Sequence, residues 1–310
     1  MSVYCVRLKA LSVLTKFPDA QTIFGAFCYK YLHLFGKEKL DALLSEEYSN
    51  PFFAISSLLY ENTVPVPLDF APRRKTDLSC IKIEDNYLFK KIKKIKFFSI
   101  GIFNLYTQNK ELFEEQFYDK INTDFEIINS EIICLKNENM CKEKYYVVDA
   151  RTRNSFSTED EKKLFKDEVM YINDTVVFSV YVLINNQKYE NEIIETFSRM
   201  SYTSLGGFKS IGYNLFSVID VKEFSNFGTN KYGLLLSKCL IDDSFDVTKA
   251  SYNLMKINNK ATKGQDKYHS CITCICEGSV VDISNKIIGS LVKETNGDTI
   301  NYQNYLGFVI

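Results

Sequence analysis

The 310-residue sequence predicts an α+β protein of two ferredoxin-like (RRM-like, βαββαβ) domains packed together, with a glycine-rich loop and insertions. Three observations carry this. The chain opens strand, then helix. Its second half repeats strand, helix, strand. Its 20 Tyr and 24 Phe, with no Trp, are ring types that suit strands.

The elements follow in order. VYCVRLKALSV (3–13) alternates, with Val3, Cys5, Arg7 and Lys9 opposing Tyr4, Val6, Leu8 and Ala10, as a strand requires. Pro18 and Asp19 then signal a helix start, with Asp19 the N-cap. Ile23, Phe24, Phe27, Tyr31, Leu34 and Phe35 recur at helical spacing, and Gly36 ends the run. Residues 38–60 read as helix and loop, and 63–77, with three of the five prolines, as extended or irregular. Two strands are expected in 80–103 around Lys90–Lys94, an acidic helix over 105–121 and more strands to Ala150. In the second half, 169–184 reads as strand, turn, strand and 188–200 as a helix. Strands are expected at 213–221, 232–241, 251–257, 270–276 and 299–310. A division at 1–148 and 149–310 follows. The sheet face of such a domain is a common platform for single-stranded RNA.

Composition narrows the function. The N-terminus is broken by Arg7 and Lys9 and does not read as a secretion signal. The apolar runs 97–103 and 176–184 are too short to span a bilayer. Nine scattered cysteines fit a reducing cytoplasm with buried thiols. A net charge of −1 argues against a chain that grips nucleic acid through a basic surface by itself. The charge is uneven, however. Nine basic residues face three acids from Arg73 to Lys96, and nine acids face four lysines from Lys110 to Glu143, which predicts two different surfaces.

The stretch SYTSLGGFKSIGYNLF (201–216) holds Gly206, Gly207 and Gly212, three of only 13 glycines. A tight turn accounts for one glycine. The spacing is not that of a P-loop, and the order runs helix, loop, strand, which excludes a nucleotide cradle of that type. What remains is a flat backbone where a polyanion can lie against amide N–H groups. Lys209 and Ser210 would meet phosphates there, and Phe208 or Tyr213 would stack on a base. Arg151, Arg153 and Asn154, in DARTRNSFST, suit backbone phosphates, unless they merely bridge the two domains. HSCITCIC (269–276) places His269 and Cys271 on one face of a strand and Cys274 and Cys276 on the other, which suits buried thiols better than zinc. His33 is the one candidate general base for RNA cleavage. No metal and no cofactor are expected.

Together these stretches resemble one family, the RAMP-superfamily subunit of type III-A CRISPR (Csm) effector complexes. The matching segments are RLKALSVL (7–14), DAQTIFGAFC (19–28), VPVPL (64–68), ARTRNSF (150–156), LFKDEVMY (164–171), GGFKSIGYNLF (206–216), LLLSKCLI (234–241), EGSVV (277–281) and YLGFVI (305–310). They occur in the expected order over nearly the whole chain. The resemblance implies a non-catalytic, cytoplasmic RNA-binding subunit in antiviral defence. It would hold the crRNA 5′ tag, partly through Gly206–Gly212, and meet target RNA only indirectly. It would dock the large polymerase-like subunit on one side and a RAMP backbone subunit on the other, with no membrane partner. A family hairpin, the thumb, is expected within 80–145. Arg73, Arg74 and Lys75, with the Lys90–Lys96 cluster, would line the RNA path, and the acidic 110–143 segment would meet a partner protein. Ile211 and Asn214 stand where the family often carries basic residues, and Val13 where it carries Pro. The alternative is a crRNA-processing endoribonuclease of the same superfamily using His33.

Overall fold

Val6 and Leu8 point to one side of the first strand, Cys5 to the other, and a different hydrophobic core meets each side. The computed structural model describes residues 1–72, 83–121, 123–155, 163–227, 232–241, 245–257, 271–282, 285–296 and 299–310. The elements run β1 (Ser2–Ala10), α1 (Ala20–Phe35), α2 (Lys37–Ser49), β2 (Phe53–Ile55), β3 (Leu59–Tyr60), β4 (Thr63–Pro65), α3 (Ile83–Ile92), β5 (Phe97–Ser99), α4 (Ile100–Gln108), α5 (Lys110–Lys120), β6 (Phe125–Ile128) and β7 (Ile132–Leu135). They continue with β8 (Tyr146–Ser155), β9 (Lys163–Ile172), β10 (Phe178–Ile184), α6 (Gln187–Ser198), β11 (Thr203–Ser204), β12 (Leu215–Glu223), β13 (Cys239–Leu240), β14 (Leu254–Ile257), β15 (Ile272–Ile275), β16 (Ile287–Asn296) and β17 (Thr299–Phe308).

The central sheet has the order β11-β12-β1-β10-β2, antiparallel throughout, with β3 also on β10. Val6 pairs with Val180 on one side and Val221 on the other. Strands β1, β2, β10 and β12, with α1 and α6, therefore make one βαββαβ unit in the spatial order fourth, first, third, second. Its two halves come from residues 2–55 and 178–223, and β3 to β9 are inserted between its second and third strands. The expected boundary at 148/149 thus crosses a single sheet. A second sheet of this order is not formed by the described strands. Alternation in a strand reports which face is buried, not which strand lies beside it.

Both faces of this sheet are covered. Ile23, Phe24 and Phe27 of α1 and Ile193 and Phe197 of α6 pack on Val6, Leu8, Val180, Val182 and Phe216. On the other face, Cys5, Tyr181 and Leu183 join Phe98, Phe103, Leu234, Leu236, Phe308 and Ile310. All seven residues of β10 are buried, which is why its sequence, Ser179 apart, is apolar instead of alternating. The faces of β10 are therefore closed, while β12 at the side of the sheet stays partly exposed.

The inserted region departs from expectation at several points. FFSIGIF is strand only to Ser99, whose hydroxyl accepts the Ile102 N–H at 3.2 Å and starts α4. Asn109 caps a separate α5 in the same way, so 105–121 is not one helix. In place of the strand expected before Lys90–Lys94 stands α3, with Leu88, Ile92 and Ile95 turned toward the second core. The second sheet, β4-β5-β7-β6, has β5 parallel to β7. The longest ribbon before β10 is β8–β9, ten residues in each strand, which lies outside the 80–145 window of the expected thumb. Among the described residues no helix is long and apolar enough to cross a membrane.

Candidate nucleic-acid interface

Three segments meet beside the start of β12. The glycine-rich loop leaves β11, the 11–16 segment leaves β1, and the β8–β9 ribbon approaches from the side. Leu14 and Met170 exchange backbone hydrogen bonds at 3.0 and 2.7 Å, which ties the second segment to the ribbon. Asn214, 1 % exposed, ties it to the loop. Its Oδ1 accepts the Thr15 N–H at 2.9 Å, its Nδ2 donates to the Gly207 carbonyl at 3.0 Å, and its own N–H donates to the Val13 carbonyl at 2.9 Å.

Within the loop the glycines differ. Gly206 and Gly212 have φ of 117° and 76°, the conformations L side chains avoid. Gly207 has no such need, and a Cβ there meets nothing within 4 Å. Phe208 is itself left-handed (φ 60°) and leads into a 3₁₀ turn over Lys209–Ile211. A left-handed residue followed by right-handed ones turns successive N–H groups to one side, a geometry that receives anions. Residues 207–212 are all exposed. The local turn thus explains two of the glycines, and Gly207 is the one left for close approach.

The ribbon supplies the cation. Arg151 Nε donates to the Tyr171 hydroxyl at 2.7 Å and Nη1 to the Tyr213 hydroxyl at 3.4 Å. Its guanidinium carbon lies 5.0 Å from the Tyr171 ring centroid and 5.7 Å from that of Tyr213. The hydrogen bonds to Tyr213 and Tyr171 hold its pKa above the usual range. The two hydroxyls and the two ring faces together hold the planar guanidinium in one place beside the loop. Lys209 Nζ is 5.7 Å from the ring of Tyr29, an exposed residue of α1. Phe208, also exposed, has its ring 6.2 Å from that of Tyr213. Tyr213 is buried, which leaves Phe208 as the exposed ring of the loop.

The structure therefore brings together Gly206, Gly207, Phe208, Lys209, Ser210, Tyr213 and Arg151. Arg153 and Asn154 continue β8, paired with Phe165 and Leu164, farther along the ribbon. Arg73, Arg74 and Lys75 lie outside the described residues, as does His269. Sequence reasoning missed Tyr29 and Tyr171, which carry no local signal, and gave Asn214 no role. His33 is exposed in the last turn of α1. Burial pushes the Cys274 thiol up to about 12, and the described residues hold no group of three or more metal-ligating side chains.

No known family profile and no curated protein sequence matches the chain. Solved structures do. A chain of the Csm3-Csm4 subcomplex of the type III-A CRISPR-Cas interference complex matches with a TM-score of 0.67 at 19 % identity, over 100 % of this chain and 99 % of that one. Chains of the Csm1-Csm4 cassette, solved with pppApA and with AMPPNP, match with a TM-score of 0.61 at 15 and 16 % identity, over 100 % of this chain and 97 % of theirs. Csm4 is the subunit common to these assemblies. End to end, the chain has the fold of a Csm subunit of the type III-A CRISPR complex.

Proposed function

We propose that this protein is a non-catalytic RNA-binding subunit of a type III-A CRISPR interference complex, working in the cytoplasm in antiviral defence. It holds the 5′ repeat-derived tag of the crRNA and joins the large polymerase-like subunit to the RAMP backbone. The observation that carries this is the exposed 207–212 loop with Arg151 held beside it by two tyrosines. A ribonucleotide strand lies over Gly207, with phosphates on Lys209, Ser210 and the Arg151 fork and a base against Phe208. Arg153 and Asn154 extend the contact along the ribbon. The two kinds of assembly in which this fold occurs, with Csm3 and with Csm1, support a bridging role.

The test is purification of the assembled complex carrying Arg151→Glu with Lys209→Glu. The expected result is at least a tenfold loss of bound crRNA with co-purification of the partner subunits kept. Full guide occupancy overturns the reading. So does metal-independent cutting of repeat RNA by the purified chain that His33→Ala abolishes, since that makes it a nuclease.

A further inference from the structure

A second basic surface lies on a different element from the glycine-rich loop. Leu88, Ile92 and Ile95 of α3 and its exit turn face the second core. Tyr87 is 63 % exposed and Phe89 39 %. Lys90, Lys93 and Lys94 are exposed and Lys91 half-buried. Lys91 Nζ sits 4.6 Å from the Tyr87 ring centroid and Lys93 Nζ 4.4 Å from that of Phe89. Lys96 is not part of this set, because Glu131 takes its ammonium at 2.6 Å. Cations at the end of a helix complement its dipole, which accounts for Lys90 and Lys91. It does not account for two exposed rings, which forgo burial that Leu88 and Ile92 obtain on the same helix.

We infer that Tyr87, Phe89, Lys90, Lys91, Lys93 and Lys94 form a second contact for single-stranded RNA, separate from the tag site and resting on the RNA-binding reading above. Rings interleaved with lysines suit a single strand, because bases stack on the rings while the ammonium groups neutralise phosphates, with little sequence preference. The turn after α3 is closed by the Lys94 N–H on the Lys91 carbonyl at 3.0 Å and the Ile95 N–H on the Ile92 carbonyl at 3.1 Å, which keeps the backbone of the last two lysines beside the helix.

The experiment measures binding of a labelled polyuridine oligonucleotide to the full chain, and photo-crosslinking of 4-thiouridine-substituted guide RNA in the assembled complex. Tyr87→Ala with Phe89→Ala is expected to weaken binding about tenfold. Conversion of the four lysines to Gln is expected to weaken it at least as much and to flatten its salt dependence. Crosslinks are expected at Tyr87 or Phe89. Wild-type affinity in both variants, with no crosslink, overturns the inference. Loss of a partner subunit instead of RNA also overturns it, since the face then docks protein. Arg151→Glu/Lys209→Glu, run in parallel, separates the two claims: RNA lost there but not here removes only the α3 contact, and RNA lost in neither removes the underlying reading.

Discussion

The side-chain oxygen of Asn214 accepts the backbone N–H of Thr15 at 2.9 Å across 199 positions of sequence. The same amide donates to the Gly207 carbonyl, so one buried side chain sets the loop against the end of β1. Asn is also among the few residues that tolerate its φ of 57°. Asn214→Ala leaves buried donors and acceptors unmatched and is expected to cost about 1–3 kcal/mol, read as a shift in urea midpoint. Hydrogen exchange should quicken across 205–213 in that variant.

Gly206 and Gly207 are expected to part company on substitution. Gly206→Val forces a side chain into φ 117° and should cost roughly 1–3 kcal/mol in thermal unfolding. Gly207→Val enters open space and should leave unfolding within about 0.5 kcal/mol of wild type. If RNA rests on this backbone, the second variant still loses guide by several-fold in pull-down.

Arg151→Lys keeps the charge but cannot make the two tyrosine bonds and a planar contact together. Guide retention is expected to fall about tenfold, measured in the assembled complex, with thermal stability unchanged. Tyr171→Phe removes one anchor and should give a smaller loss in the same direction.

Glu47 is fully buried in α2, and burial pushes its carboxyl up to about 8 although the Phe52 and Phe53 N–H groups donate to it. The folded state therefore binds this proton more tightly than the unfolded chain. Its contribution is complete below the ordinary Glu range and fades as pH rises through about 8. Urea titrations from pH 4.5 to 8.5 should show wild type losing stability relative to Glu47→Gln as pH rises.

Asp19 behaves oppositely. Burial raises its pKa, but Lys238 at 3.1 Å and the Thr22 N–H and hydroxyl together bring it below the usual range. Its contribution is present above the ordinary Asp range and lost as pH falls through the depressed value. Asp19→Ala should cost about 1–2 kcal/mol at neutral pH by chemical denaturation.

Local signals were legible and distant ones were not. Asp19 and Gly36 bound α1 as their residue types predict, and the alternation of 3–13 marks β1. The loop order of helix, glycines and strand also holds, with Arg151 brought beside it. The caps Ser99 and Asn109 were in plain sight, but apolar FFSIGIF outweighed them in a periodicity reading. Lys90–Lys94 look like a strand-breaking turn until Leu88, Ile92 and Ile95 are seen to share a buried side. Pairing of β1 with β10 and β12 has no local signature, because it depends on which apolar strands remain unclaimed once the insertion has folded on itself.

That pairing has a consequence for synthesis. The first strand emerges from the ribosome with neither neighbour made, since they begin at Phe178 and Leu215. At about 5–20 residues per second, the nascent β1 and α1 wait roughly 10–40 s for partners. Throughout that interval Val6, Leu8, Phe24 and Phe27 have neither β10 nor β12 to close upon, and their apolar surface stays open to other chains.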